Sequence, residues 1–455
     1  MENRKLSRRS LLKWMAAGSA TAALAACAPA AAPADSGSGQ QQSAESAAAP
    51  SQDKVQMSVA THHSEVHDWQ REFARRWAEE HADQVDLQIE AVVYDEMPKL
   101  QLARSASGTL WDVVFSGIKW FPFSASKNMF LVLDDFLANR EDANLDDFVP
   151  AALAGGYFDG KLYGLPFIFH PGNPALVAFN VDMLEEKGLP LPTDDWDVNQ
   201  YADLAAQATD PDNKIYGTNY LPVNYYDFES LSRAYGTDIM DPERKQFWFN
   251  TDELNRAAAR WIVDLRTKLH AAPSREDAQG LDFTAGVLAT AVAATHQING
   301  WTTAIGDKFR HDWVLFPKGP DGKRGYTAFT SNFSCSAQTK APDLAVDLLL
   351  YLTSTEAGLW SALEQGTGHP NARRSVWENE EFLRQAHPIF ARVLEMFHDP
   401  DIPGPFPMPY NLRFQELQDN WANTSPDLFY GDVEYEEGMQ MVQEACQEIL
   451  DLPRA

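Results

Sequence analysis

Cysteine is scarce in this chain: 3 residues in 455, too few for a disulfide scaffold. No CxxC pair occurs, which removes a zinc ribbon and a thioredoxin-like motif. Basic residues are also in deficit. Lys plus Arg number 37 against 65 Asp plus Glu, for a net charge of −28. So negative a surface repels phosphate backbones and anionic headgroups, and no nucleic-acid partner is expected. No apolar run reaches the roughly 20 residues of a membrane-spanning helix; the small-residue run from Ala285 to Ala294 falls well short. There is no repeat of solenoid length, no G-x-S-x-G elbow and no G-x-G-x-x-G or Walker loop. No cofactor is therefore expected.

What is present is a globular composition, 44% hydrophobic and 11% aromatic, on a chain long enough for two lobes or more. The N-terminus has its own logic. Ser7-Arg8-Arg9-Ser10-Leu11-Leu12-Lys13 precedes an Ala-rich stretch from Trp14 to Ala26, then Cys27. Charge, a short apolar core and small residues in that order make an export signal. The first part resembles a twin-arginine signal, and Leu24-Ala25-Ala26-Cys27 resembles a bacterial lipobox. That resemblance implies cleavage after residue 26 and lipid attachment at Cys27, with acyl chains contributing about 0.8 kcal/mol per buried CH₂. Cleavage would remove five bases (Arg4, Lys5, Arg8, Arg9, Lys13) and one acid (Glu2), taking the net charge from −28 to −32. Residues 27–53, mostly Ala, Pro, Ser, Gln and Gly, read as a flexible linker.

Beyond the linker the pattern alternates. Val55, Met57 and Val59 predict a strand, and Trp69, Phe73 and Trp77 a helix. Leu87, Ile89, Ala91 and Val93 predict a second strand, Glu96 to Ala106 a helix closed by Gly108, and Asp112 to Phe115 a third strand. This order predicts an α/β lobe. Thr251-Asp252-Glu253 predicts the start of a helix with Leu254, Ala257, Trp261, Ile262 and Leu265 on its buried face. Further helices are expected at Asp182 to Lys187, Pro342 to Leu352 and Glu434 to Leu450. Cys335 and Cys446 are left open, as a pair or as two buried thiols.

The order of landmarks resembles the extracellular solute-binding proteins of ABC importers, in the maltose-binding-protein-like, sugar-binding group. The segments that carry it are Ser107-Gly108-Thr109-Leu110-Trp111-Asp112, Asp159-Gly160-Lys161-Leu162-Tyr163-Gly164, Phe179-Asn180-Val181-Asp182, Trp196-Asp197, Asn299-Gly300-Trp301 and Leu315-Phe316-Pro317-Lys318-Gly319. Trp111 stands where the family usually has Pro, and Phe179 where it has Tyr. The resemblance implies a type II periplasmic binding protein-like α/β fold, with two lobes, a hinge and an interlobe ligand cleft. The implied lobes are 54–165 plus 318–365 and 166–317 plus 366–455, with crossings near 166, 318 and 365.

A saccharide cleft needs aromatic rings for C–H faces and convergent polar groups for hydroxyls. Ser116, Trp120 and Phe121 lie at or beyond the C-terminal end of a strand, where open α/β sheets bind ligands. His62 and His63 end the first strand, and His170 follows the first crossing. Tyr225, Tyr226 and Asp227 are expected in a polar-aromatic loop, and Trp301 in another after Asn299-Gly300. Tyr410, Asn411 and Arg413 follow a Pro-rich run and match a late cleft loop in the family. For each of these, packing in a core is the competing reading. His63 and His67 also have metal-ligand spacing, but no fourth ligand follows, so no metal is expected.

The expected activity is binding without chemistry. A monomer, exported and held by lipid at Cys27 on the outer face of the membrane, would capture a sugar or oligosaccharide and deliver it to ABC permease subunits. The alternatives are a lipid-anchored glycoside-acting enzyme, and a binding protein for a peptide, polyamine, osmolyte or metal. Glycoside chemistry needs two carboxyls about 5–9.5 Å apart. Asp134-Asp135 and Glu436-Glu437 read instead as solvated helix ends or faces.

Overall fold

A computed structural model describes residues 54–64, 67–172, 174–364, 371–398 and 411–453, the side chains of Ala328, Phe397 and His398 excepted. The export signal, Cys27, the linker, Tyr410 and the expected crossing near 365 lie outside the described residues. Residues 52–455 form one compact unit.

The first lobe is built on a five-stranded sheet in the order β2-β1-β3-β10-β6. Here β1 is Val55–His62, β2 Val85–Val92, β3 Val113–Gly117, β6 Leu165–Pro171 and β10 Ala328–Cys335. β1 pairs in parallel with β2 and β3, and β10 runs antiparallel to both β3 and β6. A small hairpin of β4 (Tyr157–Phe158) and β5 (Lys161–Leu162) stands beside it. The second lobe holds a three-stranded antiparallel sheet in the order β8-β7-β9. Its strands are Thr290–Ala293 (β8), Leu176–Asn180 (β7) and His311–Leu315 (β9).

Local chemistry explains these elements. Every residue of β3 and of β7 is buried, as expected of strands covered on both faces. Alternate side chains of β7 serve two cores: Leu176 and Ala178 pack with one hydrophobic cluster, Val177 and Phe179 with another, following the two-residue period of a strand. Helix Met97–Ser107 stops at Gly108, whose φ of 73° permits the left-handed cap. Asp197 and Gln200 form a capping box on helix Val198–Ala208. Asp112 accepts hydrogen bonds from Ser58 N (2.8 Å) and Thr339 Oγ1 (2.6 Å), joining β1, β3 and the loop beyond β10. Trp111 donates to Glu90 (2.8 Å) under the Arg104 guanidinium, 4.0 Å from its ring.

Helix Glu253–Thr267 departs from expectation. Its buried face is Asn255, Ala258, Ala259, Ile262, Val263, Leu265 and Arg266, whereas Leu254 and Ala257 are exposed and Trp261 is half-buried. Asp252 caps Leu254 N and Asn255 N, and Asn255 Nδ2 donates to the Asp238 and Trp248 carbonyls. These bonds turn a polar residue inward and rotate the face past Leu254. Cys335 lies on β10 and Cys446 on helix Tyr435–Asp451; both are buried and free.

Two of the segments that join the lobes lie side by side. The chain leaves the first sheet at Pro171 and enters the second at Leu176; it leaves again at Leu315 and returns at Ala328. The segments pair through Phe329↔His170 and Ala328↔Pro171, and Gly172 N donates to Thr327 O at 2.6 Å. Residues 371–377 pack on the first lobe, where Arg373 donates to the Ala143 and Asn144 carbonyls. Helix Ile389–His398 packs on β9, with Arg392 donating to Trp313 O at 2.8 Å.

A Cβ added at Gly172 would lie 2.3 Å from Thr327 Oγ1 and 3.4 Å from Thr327 O. Gly172→Ala is therefore expected to lower the melting temperature. Adding Thr327→Ala removes the clashing hydroxyl, and the double variant should recover most of the loss in the same thermal melt.

Candidate ligand-binding cleft

A cavity of about 650 Å³ opens beside the paired crossing segments, at the C-terminal ends of β1 and β3. The first lobe contributes His62, Ser64, His67, Tyr94, Lys119 and Phe167; the crossing strands contribute His170, Phe329 and Ser331. From the second lobe come Asn224, Tyr226 and Asp227 at one helix start, and His296, Gln297 and Asn299 at another. Both lobes thus supply the lining, and the described lining combines one carboxyl, one ammonium and four imidazoles with aromatic rings.

The imidazoles come in two pairs. His62 stacks on His67 with ring centroids 4.3 Å apart and packs against Tyr94 and Phe115, both at 5.4 Å. Ser64 Oγ bonds His67 Nδ1 at 2.8 Å. His170 lies 5.2 Å from His296 and stacks on Phe329 at the same distance. Burial is the main cause that holds all four below their ordinary value: His62 and His296 to about 4, His67 and His170 to about 3. Electrostatic repulsion adds to it for one ring of each pair, His62 acting on His67 and His296 on His170. Neutral rings each offer one donor and one acceptor.

The charged pair spans the lobes. Lys119 Nζ lies over the Tyr226 ring, 5.4 Å from its centroid. Burial lowers the Lys119 ammonium, opposed by the fields of Asp227 and Asp95. Asp227 completes a capping box on helix Tyr225–Ala234: its Oδ2 accepts from Asn224 N (3.2 Å) and Asn224 Nδ2 (2.7 Å). Burial pushes its carboxyl up to about 7, against the pull of those bonds and of Lys119. Tyr94 and Tyr226 are likewise raised, mainly by burial.

Of the residues singled out in the sequence, His62, His170, Tyr226 and Asp227 line this cavity. His63 is exposed and outside the lining. Ser116 is fully buried and accepts from Gln101 Nε2 at 2.9 Å. Trp120 packs edge-on against Tyr94 at 4.8 Å, and Phe121 stacks in the core on Phe130 at 5.8 Å. Tyr225 is fully buried 5.4 Å from Phe414. Tyr225, Tyr226 and Asp227 form a first helical turn rather than a loop, so Tyr225 and Tyr226 point about 100° apart. Trp301 also sits in a helix, Gln297–Ile305, between Trp313 (5.6 Å) and Phe283 (5.4 Å). Its neighbours Asn299 and Gly300 face the cavity instead. Asn411 and Arg413 line a separate groove of about 520 Å³, against Phe158 and Asp159. The strand-end cavity is taken as the site because both lobes and both crossing strands converge there.

Lys119, Tyr94, His296 and Asn299 were not singled out. Lys119 is legible afterwards as the one charge in Phe115-Ser116-Gly117-Ile118-Lys119-Trp120-Phe121. Among the described residues no group of three or more His, Cys, Asp or Glu is placed to hold a metal ion, and no helix is long and apolar enough to cross a membrane.

A profile described as "Bacterial extracellular solute-binding protein" matches residues 72–390. No curated protein matches the chain. Among solved structures, it is similar to an ABC substrate-binding protein from Listeria monocytogenes in complex with cycloalternan. That match has a TM-score of 0.73 and 18% identity, covering 87% of this chain and 99% of the other. It is similar to the GacH receptor of Streptomyces glaucescens, solved unliganded and with acarbose (TM-score 0.70, 19% identity, 88% and 99% covered). A third is the maltose/maltodextrin-binding domain from Bdellovibrio bacteriovorus bound to maltotriose (TM-score 0.67, 17% identity, 87% and 99% covered). Architecture and neighbours together give the type II periplasmic binding protein fold.

The buried His170–His296 pair sets a pH dependence. The fold prefers both rings neutral, whereas the unfolded chain takes up protons below about 6.5. The unfolded state then holds more protons, so this contribution to stability is full above 6.5 and is lost as pH falls toward 4. Thermal melts from pH 7 to pH 4 are expected to fall less steeply for His170→Asn/His296→Gln than for the parent chain.

Proposed function

The chain belongs to the bacterial extracellular solute-binding proteins, and from that premise we propose that it captures a saccharide between its lobes and passes it, unreacted, to the transmembrane subunits of an ABC importer. The observation that carries this reading is the cavity of about 650 Å³ whose aromatic and polar lining comes from both lobes. That volume lies in the range of small-molecule sites. Phe167, Tyr94, Tyr226 and Phe329 offer ring faces for sugar C–H groups. His62, His170, Asn299 and Asp227 offer hydroxyl partners. The neighbours' ligands, cycloalternan, acarbose and maltotriose, are carbohydrates or close analogues.

Binding moves the lobes only if the guest prefers the closed state. A guest in this cavity touches both lobes at once in the closed arrangement, and an open arrangement forfeits one set of contacts. Paired crossing strands suit hinge closure. Catalysis is disfavoured by the lining itself. Glycoside hydrolysis uses two carboxyls, and the described lining supplies Asp227 alone.

In this reading residues 1–26 direct export through the twin-arginine route, and a lipid on Cys27 holds a monomer at the outer face of the membrane. The linker of residues 28–53 gives the lobes reach toward the permease.

Two outcomes test the proposal. In a thermal-shift screen of saccharides, a ligand at 100 times its Kd should stabilise the protein by about 2.7 kcal/mol. That ligand should be recovered chemically intact, and Tyr226→Ala should weaken it at least tenfold; turnover of the saccharide would contradict the reading. In cells, Cys27→Ala should shift the chain from the membrane to the soluble fraction, and Arg8→Lys/Arg9→Lys should retain it inside. An unaltered distribution of both variants would contradict the anchor and the route.

A further inference from the structure

The cleft's titratable residues run against the chain's excess of acids. Acids outnumber Lys plus Arg by 65 to 37 overall, yet the described lining has five nitrogen bases and one carboxyl. Four of the chain's 11 histidines meet there. The single carboxyl, Asp227, is occupied by Asn224 and is held toward its protonated form by burial.

Lys119 is the centre of the imbalance. Its ammonium is drawn into the cleft over Tyr226, and among the described residues no carboxylate lies within ion-pairing distance of it. Asp95, the other acid whose field it feels, is outside the lining. A half-buried cation with no carboxylate in contact is costly, and the fields of Asp227 and Asp95 offset only part of it. The Tyr226 face offsets a further part of that cost and leaves the three N–H donors available. A guest that brings its own negative charge would supply the missing partner where both lobes meet. The neutral imidazoles and Asn299 line the same space.

We propose that the saccharide of this cleft is acidic, its anionic group (a uronic carboxylate or a phosphate ester) seated against Lys119 between the lobes. The inference rests on the saccharide reading above and names the class of sugar. Charge-assisted hydrogen bonds to an ammonium are shorter and roughly twice as strong as neutral ones. An anion at Lys119 is also reached by the Tyr226 helix only in the closed state, so recognition and closure coincide.

The test is calorimetric titration of the purified protein with matched probes. Galacturonate and digalacturonate are compared with their neutral methyl esters, and glucose 6-phosphate with glucose. The expected result is that at least one acidic probe binds tenfold or more tightly than its neutral counterpart. Lys119→Met should abolish that margin, and Lys119→Arg should keep most of it. Tighter binding of the phosphate than of the uronates would assign the anion as a phosphate ester; the reverse order assigns a carboxylate. Equal binding of acidic and neutral partners, or a margin that survives Lys119→Met, overturns the inference and leaves the saccharide reading standing. If no probe of either kind binds, while peptides or polyamines do, both readings fall together.

Discussion

The pairing of two crossing segments is the constraint on which the rest depends. β6 and β10 run antiparallel through Phe329↔His170 and Ala328↔Pro171, and the contact continues as Gly172 N to Thr327 O. Backbone hydrogen bonds fix these strands side by side, so these two crossings form one paired joint while the sheets stay separate. Side chains on the joint, His170 and Phe329 among them, are thereby presented to the space between the lobes. Strand ends on one side and helix starts on the other then complete the lining, because those are the places where polar side chains reach out of a packed core.

Electrostatics follow from the same geometry. Burial between two lobes strips water from His62, His67, His170 and His296 and keeps them neutral. The same burial drives Asp227 toward protonation and weakens the ammonium of Lys119. Each shift has desolvation as its leading cause. A cleft in that condition makes strong, directional contacts once a polar guest enters. Among its described lining residues Asp227 is the one carboxyl.

Much of the scaffold was legible in the chain. The two-residue period of Val55, Met57 and Val59 and the four-residue spacing of Trp69, Phe73 and Trp77 became β1 and helix Asp68–Glu80. Periodicity reports which face is buried, and burial dominates those elements. The cleft was only partly legible. Ser116, Phe121 and Tyr225 sit within a residue or two of the cavity in sequence, but their side chains turn into the core. On a helix one residue is about 100° of rotation, which separates buried Tyr225 from Tyr226 and Trp301 from Gly300. Lys119 and Tyr226 meet across the lobes although over a hundred positions lie between them, and no local pattern encodes such a contact. Asn411 and Arg413 follow a family landmark, yet the fold places them against Phe158 and Asp159 in a different groove.

The central claim is that a guest draws the two lobes together across this cleft. Small-angle X-ray scattering of the protein with and without a bound saccharide measures it directly. A smaller radius of gyration is expected at saturation, with the apparent affinity from scattering equal to that from calorimetry. A bound saccharide that leaves the scattering profile unchanged would contradict it.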